Sequence, residues 1–116
     1  MRTLLMTLVA GFAMSSLAQA DPVEGPVCTE EVVLSHSTDV YEMWFYGEEA
    51  SIVTVSGDGD TDLDLYVYDE KDNLIAQDED LSDQAVVYFA PRWTGRFTIR
   101  VVNRGSVYNR YTICAG

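Results

Sequence analysis

The segment SGDGDTDLDLYVYDE, residues 56–70, places aspartates at positions 58, 60, 62 and 64, on every second residue. Clustered carboxylates suit a hard cation, which takes roughly six to eight oxygen ligands and relieves the repulsion among the acids. A second acidic group, Asp78, Glu79, Asp80 and Asp83, follows closely enough to contribute from a neighbouring loop. Asp58, Asp60, Asp62, Asp64, Asp80 and Asp83 are therefore candidate calcium ligands. The EF-hand template fits only at its start. Asp58, Asp60 and Asp62 match its first three ligands, but Leu63 stands in place of the obligatory glycine and Asp69 in place of the closing glutamate. Any site must then be built from a loop and a strand. The competing account needs no ligand: the row is the solvated outer face of a strand. On that account Arg96 and Arg100 lie across the sheet from Asp62 and Asp64, and such opposite-charge pairs contribute about 0.2–1 kcal/mol each.

Aromatic side chains offer a second kind of chemistry. Trp44, Tyr66, Tyr68 and Trp93 are candidate binding residues, because an exposed row of rings can stack on a sugar or an extended peptide. The alternative is that Trp44 and Trp93 cover the ends of the fold. Catalysis is not expected. His36 is the single histidine, and its neighbour Ser37 would point to the opposite face of a strand. The sequence has no nucleophile elbow, phosphate loop or zinc-ligand spacing.

The elements that carry these residues read as strands. Apolar residues recur with period two over most of the chain, and Gly, Asn, Asp or Pro punctuate the pattern about every ten residues. Tyr41, Met43 and Phe45 form one face of an early strand, Leu63, Leu65 and Val67 of a middle one, and Phe97, Ile99 and Val101 of a late one. If 61–68 is a strand, Asp62, Asp64, Tyr66 and Tyr68 face outward. The pattern predicts an all-β fold of about eight short strands, mainly antiparallel because the connections are too short for crossover helices.

Residues 1–20, MRTLLMTLVAGFAMSSLAQA, have the form of a secretory signal peptide: an early Arg2, an apolar run, and Ala18 and Ala20 at a cleavage site before Asp21. The run is too short to span a bilayer, so no membrane insertion is expected once it is removed. Residues 21–27 read as a linker and 28–116 as one domain. Export to the periplasm or beyond makes a disulfide between Cys28 and Cys114 the natural use of the two cysteines. The formal net charge is −12, and every Asp and Glu lies at or before Asp83, while the arginines beyond the leader begin at Arg92. Such a surface repels phosphate, so nucleic acid is not an expected partner.

The segments GDGDTDLDLYVYDEKDNLIAQDED and APRWTGRFTIRVVNRGSVYNRYTI resemble the bacterial pre-peptidase C-terminal domain family. The family's Asp-x-Asp-Leu-Tyr-Val strand corresponds to Asp62–Val67, and its Pro-x-x-Thr-Gly segment begins at Pro91. The closing Tyr-Thr-Ile strand corresponds to Tyr111–Ile113, and the Asp39–Phe45 run also fits. The resemblance implies a jelly-roll-like β-sandwich and a non-catalytic accessory module, here a stand-alone secreted member. Its partner would be a protein or extracellular polymer. Related collagen-binding domains of bacterial collagenases bind calcium near their N-terminal linker, where Glu30, Glu31 and Asp39 are the nearest residues. The alternatives are a structural or assembly protein of the cell envelope, or an aromatic-faced carbohydrate- or peptide-binding module without metal.

Overall fold

A computed structural model of the chain describes residues 27–116 with their side chains, and 3–9 and 14–22 as backbone. The leader's side chains, residues 10–13 and the linker residues 23–26 lie outside the described residues, and the cleavage point expected before Asp21 falls within the backbone of β2 (Met14–Pro22). The strands are β1 (Thr3–Val9), β2 (Met14–Pro22), β3 (Val27–Val33), β4 (Thr38–Phe45), β5 (Ser51–Ser56), β6 (Leu63–Tyr68), β7 (Leu74–Asp78), β8 (Gln84–Phe89), β9 (Gly95–Asn103) and β10 (Asn109–Ala115). One sheet has the order β2-β1-β4-β9-β6-β7, the other β3-β10-β5-β8. From β3 onward, consecutive strands alternate between the sheets except at the β6–β7 hairpin. The eight strands β3–β10 form the antiparallel sandwich that the sequence pattern predicts. Among the described residues no helix is long and apolar enough to cross a membrane.

The period-two pattern becomes the inner layer. Tyr41, Met43 and Phe45 of β4, Leu63, Leu65 and Val67 of β6, and Phe97, Ile99 and Val101 of β9 are buried against Val53, Val55, Val87, Tyr111 and Ile113 of the other sheet. Phe45 meets Phe89 and Phe97 edge-on, with ring centroids 5.0 and 5.6 Å apart.

Polar staples join the layers. The Tyr41 and Tyr111 hydroxyls are 2.7 Å apart in the core, and Tyr111 donates to Asp39 Oδ2 at 2.7 Å. Asn103 Nδ2 donates to the carbonyls of Leu34 and Val107 at 3.1 and 2.8 Å, while its Oδ1 accepts from Gly105 N. Cys28 and Cys114 lie directly opposite each other on β3 and β10, joined by the expected disulfide with their Cα atoms 4.1 Å apart.

Candidate binding face

Outward side chains of β4, β9 and β6 form a continuous surface on the six-stranded sheet. The register sets Val40 beside Arg100 and Arg100 beside Tyr66, while Trp44 pairs with Arg96 and Tyr68 with Thr98. Alternation along each strand puts these residues on one face and the core residues on the other. Trp44 is 40% exposed, so it does not plug the end of the sandwich. Tyr66 and Tyr68 stack with centroids 6.4 Å apart. The guanidinium of Arg100 lies over the Tyr68 ring at 4.8 Å, and that of Arg96 is 6.0 Å from the Trp44 ring centroid.

Trp93 does not join this face. It lies in the β8–β9 turn, half exposed, and lines a separate groove with Tyr88 and Ile75. Gly47 is required for that turn to close, since a Cβ there would fall 2.6 Å from the Trp93 backbone. The four aromatic candidates thus divide into Trp44, Tyr66 and Tyr68 on the sheet and Trp93 beyond its end.

The acidic candidates divide as well. Asp83 is 6% exposed and accepts from Asn109 Nδ2 at 3.1 Å and from the Gly59 backbone N–H. Burial raises its pKa, but the hydrogen bonds from Asn109, Gly59 and Gln84 outweigh that and hold it below the ordinary carboxylate value. Gly57 passes so close that a Cβ there would fall 2.2 Å from Asp83 Oδ2. Asp58 caps its own turn by accepting from Asp60 N at 3.1 Å, and it accepts from Arg110 N at 3.0 Å. Asp80 closes a local turn with Ser82 N and Oγ. Asp60 is exposed. These four do structural or solvated work at separate points.

Asp62 and Asp64 differ from them. Each has an Oδ1 that is buried without a hydrogen-bond partner. Burial raises the Asp62 pKa, the neighbouring Asp64 carboxylate raises it further by its charge and by close approach of the two carboxyl groups, Arg104 partly reverses this, and Asp80 adds a smaller rise. Asp64 Oδ2 is held by Arg104 Nε at 2.8 Å, and Arg104 also donates to the Tyr66 hydroxyl at 2.9 Å.

The expected pairing of Asp62 and Asp64 with Arg96 and Arg100 is therefore corrected. Arg100 faces Tyr66 and Val40 in the ladder, Arg96 lies 3.7 Å from Glu42, and Arg104, from the turn after β9, takes Asp64. Among the described residues no group of three or more His, Cys, Asp or Glu side chains surrounds a common point. The two bare oxygens of Asp62 and Asp64 can supply one side of a hard-cation shell, and the remaining ligands would have to come from water or from movement of Asp80. Near the first strand, Asp39 is buried under Tyr111, and Glu30 reaches Arg110 Nη1 at 3.3 Å. Those residues are committed to the fold.

His36 is exposed in a left-handed turn conformation, φ 49°, and Ser37 Oγ donates to the Ser35 carbonyl. No catalytic pair is formed by these two residues. Sequence reasoning missed Arg104, Asn103 and Asn109. They lie at strand ends and act over separations of 26 to 70 residues, where periodicity gives no signal.

No protein-family model matches the chain, and no curated protein matches it. Among solved structures it is similar to the pre-peptidase C-terminal domain of collagenase from Bacillus anthracis. The TM-score is 0.62 at 15% identity, over 84% of this chain and 100% of that one. It is also similar to the Yersinia pseudotuberculosis-derived mitogen, with a TM-score of 0.54 at 9% identity, over 80% of this chain and 86% of that one. At such identities the likeness establishes the fold: the chain has the β-sandwich of the pre-peptidase C-terminal domain, as the sequence resemblance implied.

Proposed function

We propose that this chain is a secreted or periplasmic, non-catalytic binding module that holds an extended extracellular polymer or protein across the outer face of β4, β9, β6 and β7, the strands of the larger sheet that lie beyond the leader. The observation that carries this is the alignment of Trp44, Tyr66 and Tyr68 on one solvent-facing surface, interleaved with the β9 arginines. Aromatic rings beside guanidinium groups give large contact area with few rotatable bonds, as binding surfaces require. The exposed Cys28–Cys114 disulfide favours an oxidising compartment. The similar solved structure is the pre-peptidase C-terminal domain of a collagenase, in keeping with an accessory role.

The test is retention on insoluble polymers, with insoluble collagen and crystalline polysaccharides in parallel. Trp44→Ala and Tyr68→Ala each weaken retention about tenfold or more, whereas Trp93→Ala leaves it unchanged. Equal retention by all four proteins would place binding elsewhere.

Calcium support is a second part of the proposal, and it rests on the two unpartnered carboxylate oxygens of Asp62 and Asp64. Calcium, and not magnesium at equal ionic strength, raises the melting temperature, and the Asp62→Asn/Asp64→Asn double variant loses that rise. A calcium shift that survives in the double variant would remove these residues from the site.

A further inference from the structure

The outer face carries three arginines in different states. Arg96 lies 3.7 Å from Glu42, and Arg104 lies 2.8 Å from Asp64. Arg100, among the described residues, has no carboxylate at ion-pair distance, and its guanidinium is laid over Tyr68 at 4.8 Å. It forms part of a shallow depression of about 550 Å³ with Thr38 and Val40 of β4, Tyr66 and Tyr68 of β6, Val102 of β9, and Arg104, whose guanidinium is already engaged by Asp64 and the Tyr66 hydroxyl. A guanidinium stays ionised and planar. Stacking on a ring occupies a face of that plane and leaves its edge, with the N–H fork, to accept a carboxylate in two parallel hydrogen bonds.

We propose that Arg100, oriented by Tyr68, is a carboxylate-accepting subsite for a polysaccharide that carries occasional uronic acids on an otherwise neutral chain. The proposal rests on the binding face described above and names its ligand class. Three observations select this occupant. First, β9 is paired on both sides, by β4 and β6, so a peptide that adds as a strand at the β4 edge, which opens once β1 leaves with the leader, lies a strand away from Arg100. Rings and side-chain hydroxyls are what remain, and they suit sugars. Second, Trp44 pairs with Arg96, four residues along β9 from Arg100, a span of about 13 Å. A ligand that stacks on Trp44 and brings an anion to Arg100 must be a chain of several units. Third, the protein's net charge of −12 repels a densely charged polyanion at separations within the Debye length, about 8–10 Å in ordinary salt. An isolated carboxylate among neutral sugars keeps the local attraction of Arg100 and avoids most of that repulsion.

Affinity electrophoresis of the exported, oxidised protein tests this, with soluble glucuronoxylan, the same polymer after reduction of its carboxyls to alcohols, and polygalacturonate. Wild type is expected to bind glucuronoxylan about tenfold more tightly than the carboxyl-reduced polymer, the scale of a charge-assisted contact. Polygalacturonate binds no better than glucuronoxylan. Arg100→Gln, whose melting temperature should match wild type because the side chain is exposed, binds the native and reduced polymers equally. Equal binding of both by wild type, or a preference that persists in Arg100→Gln, overturns the subsite. If Trp44→Ala loses both polymers in that case, the binding face still stands. Retention unchanged in Trp44→Ala and Tyr68→Ala overturns the face itself, and no retention on any polymer overturns the glycan assignment.

Discussion

Asp83 and Asp39 are both buried aspartates, yet the fold moves their proton affinities in opposite directions. Asp83 receives hydrogen bonds from Asn109, the Gly59 backbone and Gln84, which favour its charged form. Its contribution to stability is present above the ordinary carboxylate pKa of about 3.9 and is lost as the pH falls through its lower folded value. Asp83→Ala leaves the Gly59 N–H and the Asn109 amide without their acceptor, and is expected to cost about 2–3 kcal/mol in urea unfolding at pH 7. A loss below about 0.5 kcal/mol would show that water replaces the carboxylate there. At Asp39 burial dominates and raises the pKa, the Tyr111 hydroxyl partly reverses this, and the nearby Glu31 carboxylate raises it again. A raised carboxylate stabilises the fold fully below its unfolded pKa and ceases to do so as the pH rises through the folded value. Asp39→Asn keeps an acceptor for Tyr111, so its stability should fall less than that of wild type between about pH 4 and pH 7. Parallel curves for the two proteins would contradict the shift at Asp39. Asp62, also raised, has the same sign and remains in both proteins.

At the scale of the element, the strands were legible because each carries its burial pattern in its own residues. Leu63-x-Leu65-x-Val67 and Phe97-x-Ile99-x-Val101 need no knowledge of their partners to indicate which face turns inward. The same alternation already placed Tyr66 and Tyr68 outward, and with them most of the binding face. What connects the elements was not legible. Arg104 reaches Asp64 because the turn after β9 returns beside the entry to β6, with Arg104 N bonded to the Asp62 carbonyl at 3.0 Å. Trp93 departs from the other rings because Pro91 and the close Gly47 contact carry the β8–β9 turn past the end of the sheet. The six acidic candidates looked like one site on a one-dimensional spacing, and the turns at Asp58, Asp80 and Asp83 use that acidity to cap backbone N–H groups instead. The two cysteines were legible through compartment and number. Their disulfide ties β3 to β10 across a sequence separation of 86 residues. In the chain-entropy account, closing such a loop stabilises by about 4–5 kcal/mol. Cys28→Ser/Cys114→Ser should therefore unfold at a much lower urea concentration, with a loss of several kcal/mol. A loss under about 1 kcal/mol would mean that the unfolded chain is already compact without the bond.

At the scale of the whole molecule, the separation of charge along the sequence becomes a separation in space. The acids gather at turns such as 58–62, 69–72 and 78–83, while Arg96 and Arg100 emerge from the middle of the six-stranded sheet. A strongly acidic domain thereby presents one aromatic, arginine-bearing surface, bordered by Glu42, Asp69, Glu70 and Asp72 beside Trp44 and by Glu79 at the Tyr66 hydroxyl. The central claim is that this surface, and neither the Trp93 groove nor the outer side of the four-stranded sheet, is where binding occurs. The most direct measurement is amide and indole chemical-shift mapping of the ¹⁵N-labelled, oxidised protein titrated with a soluble polymer that it retains. The account predicts shifts confined to Trp44, Tyr66, Tyr68, Thr98, Arg100 and their strand neighbours, including the Trp44 indole. Shifts centred on Tyr88 and Trp93, or on β3 and β10 with the sheet face silent, would contradict it.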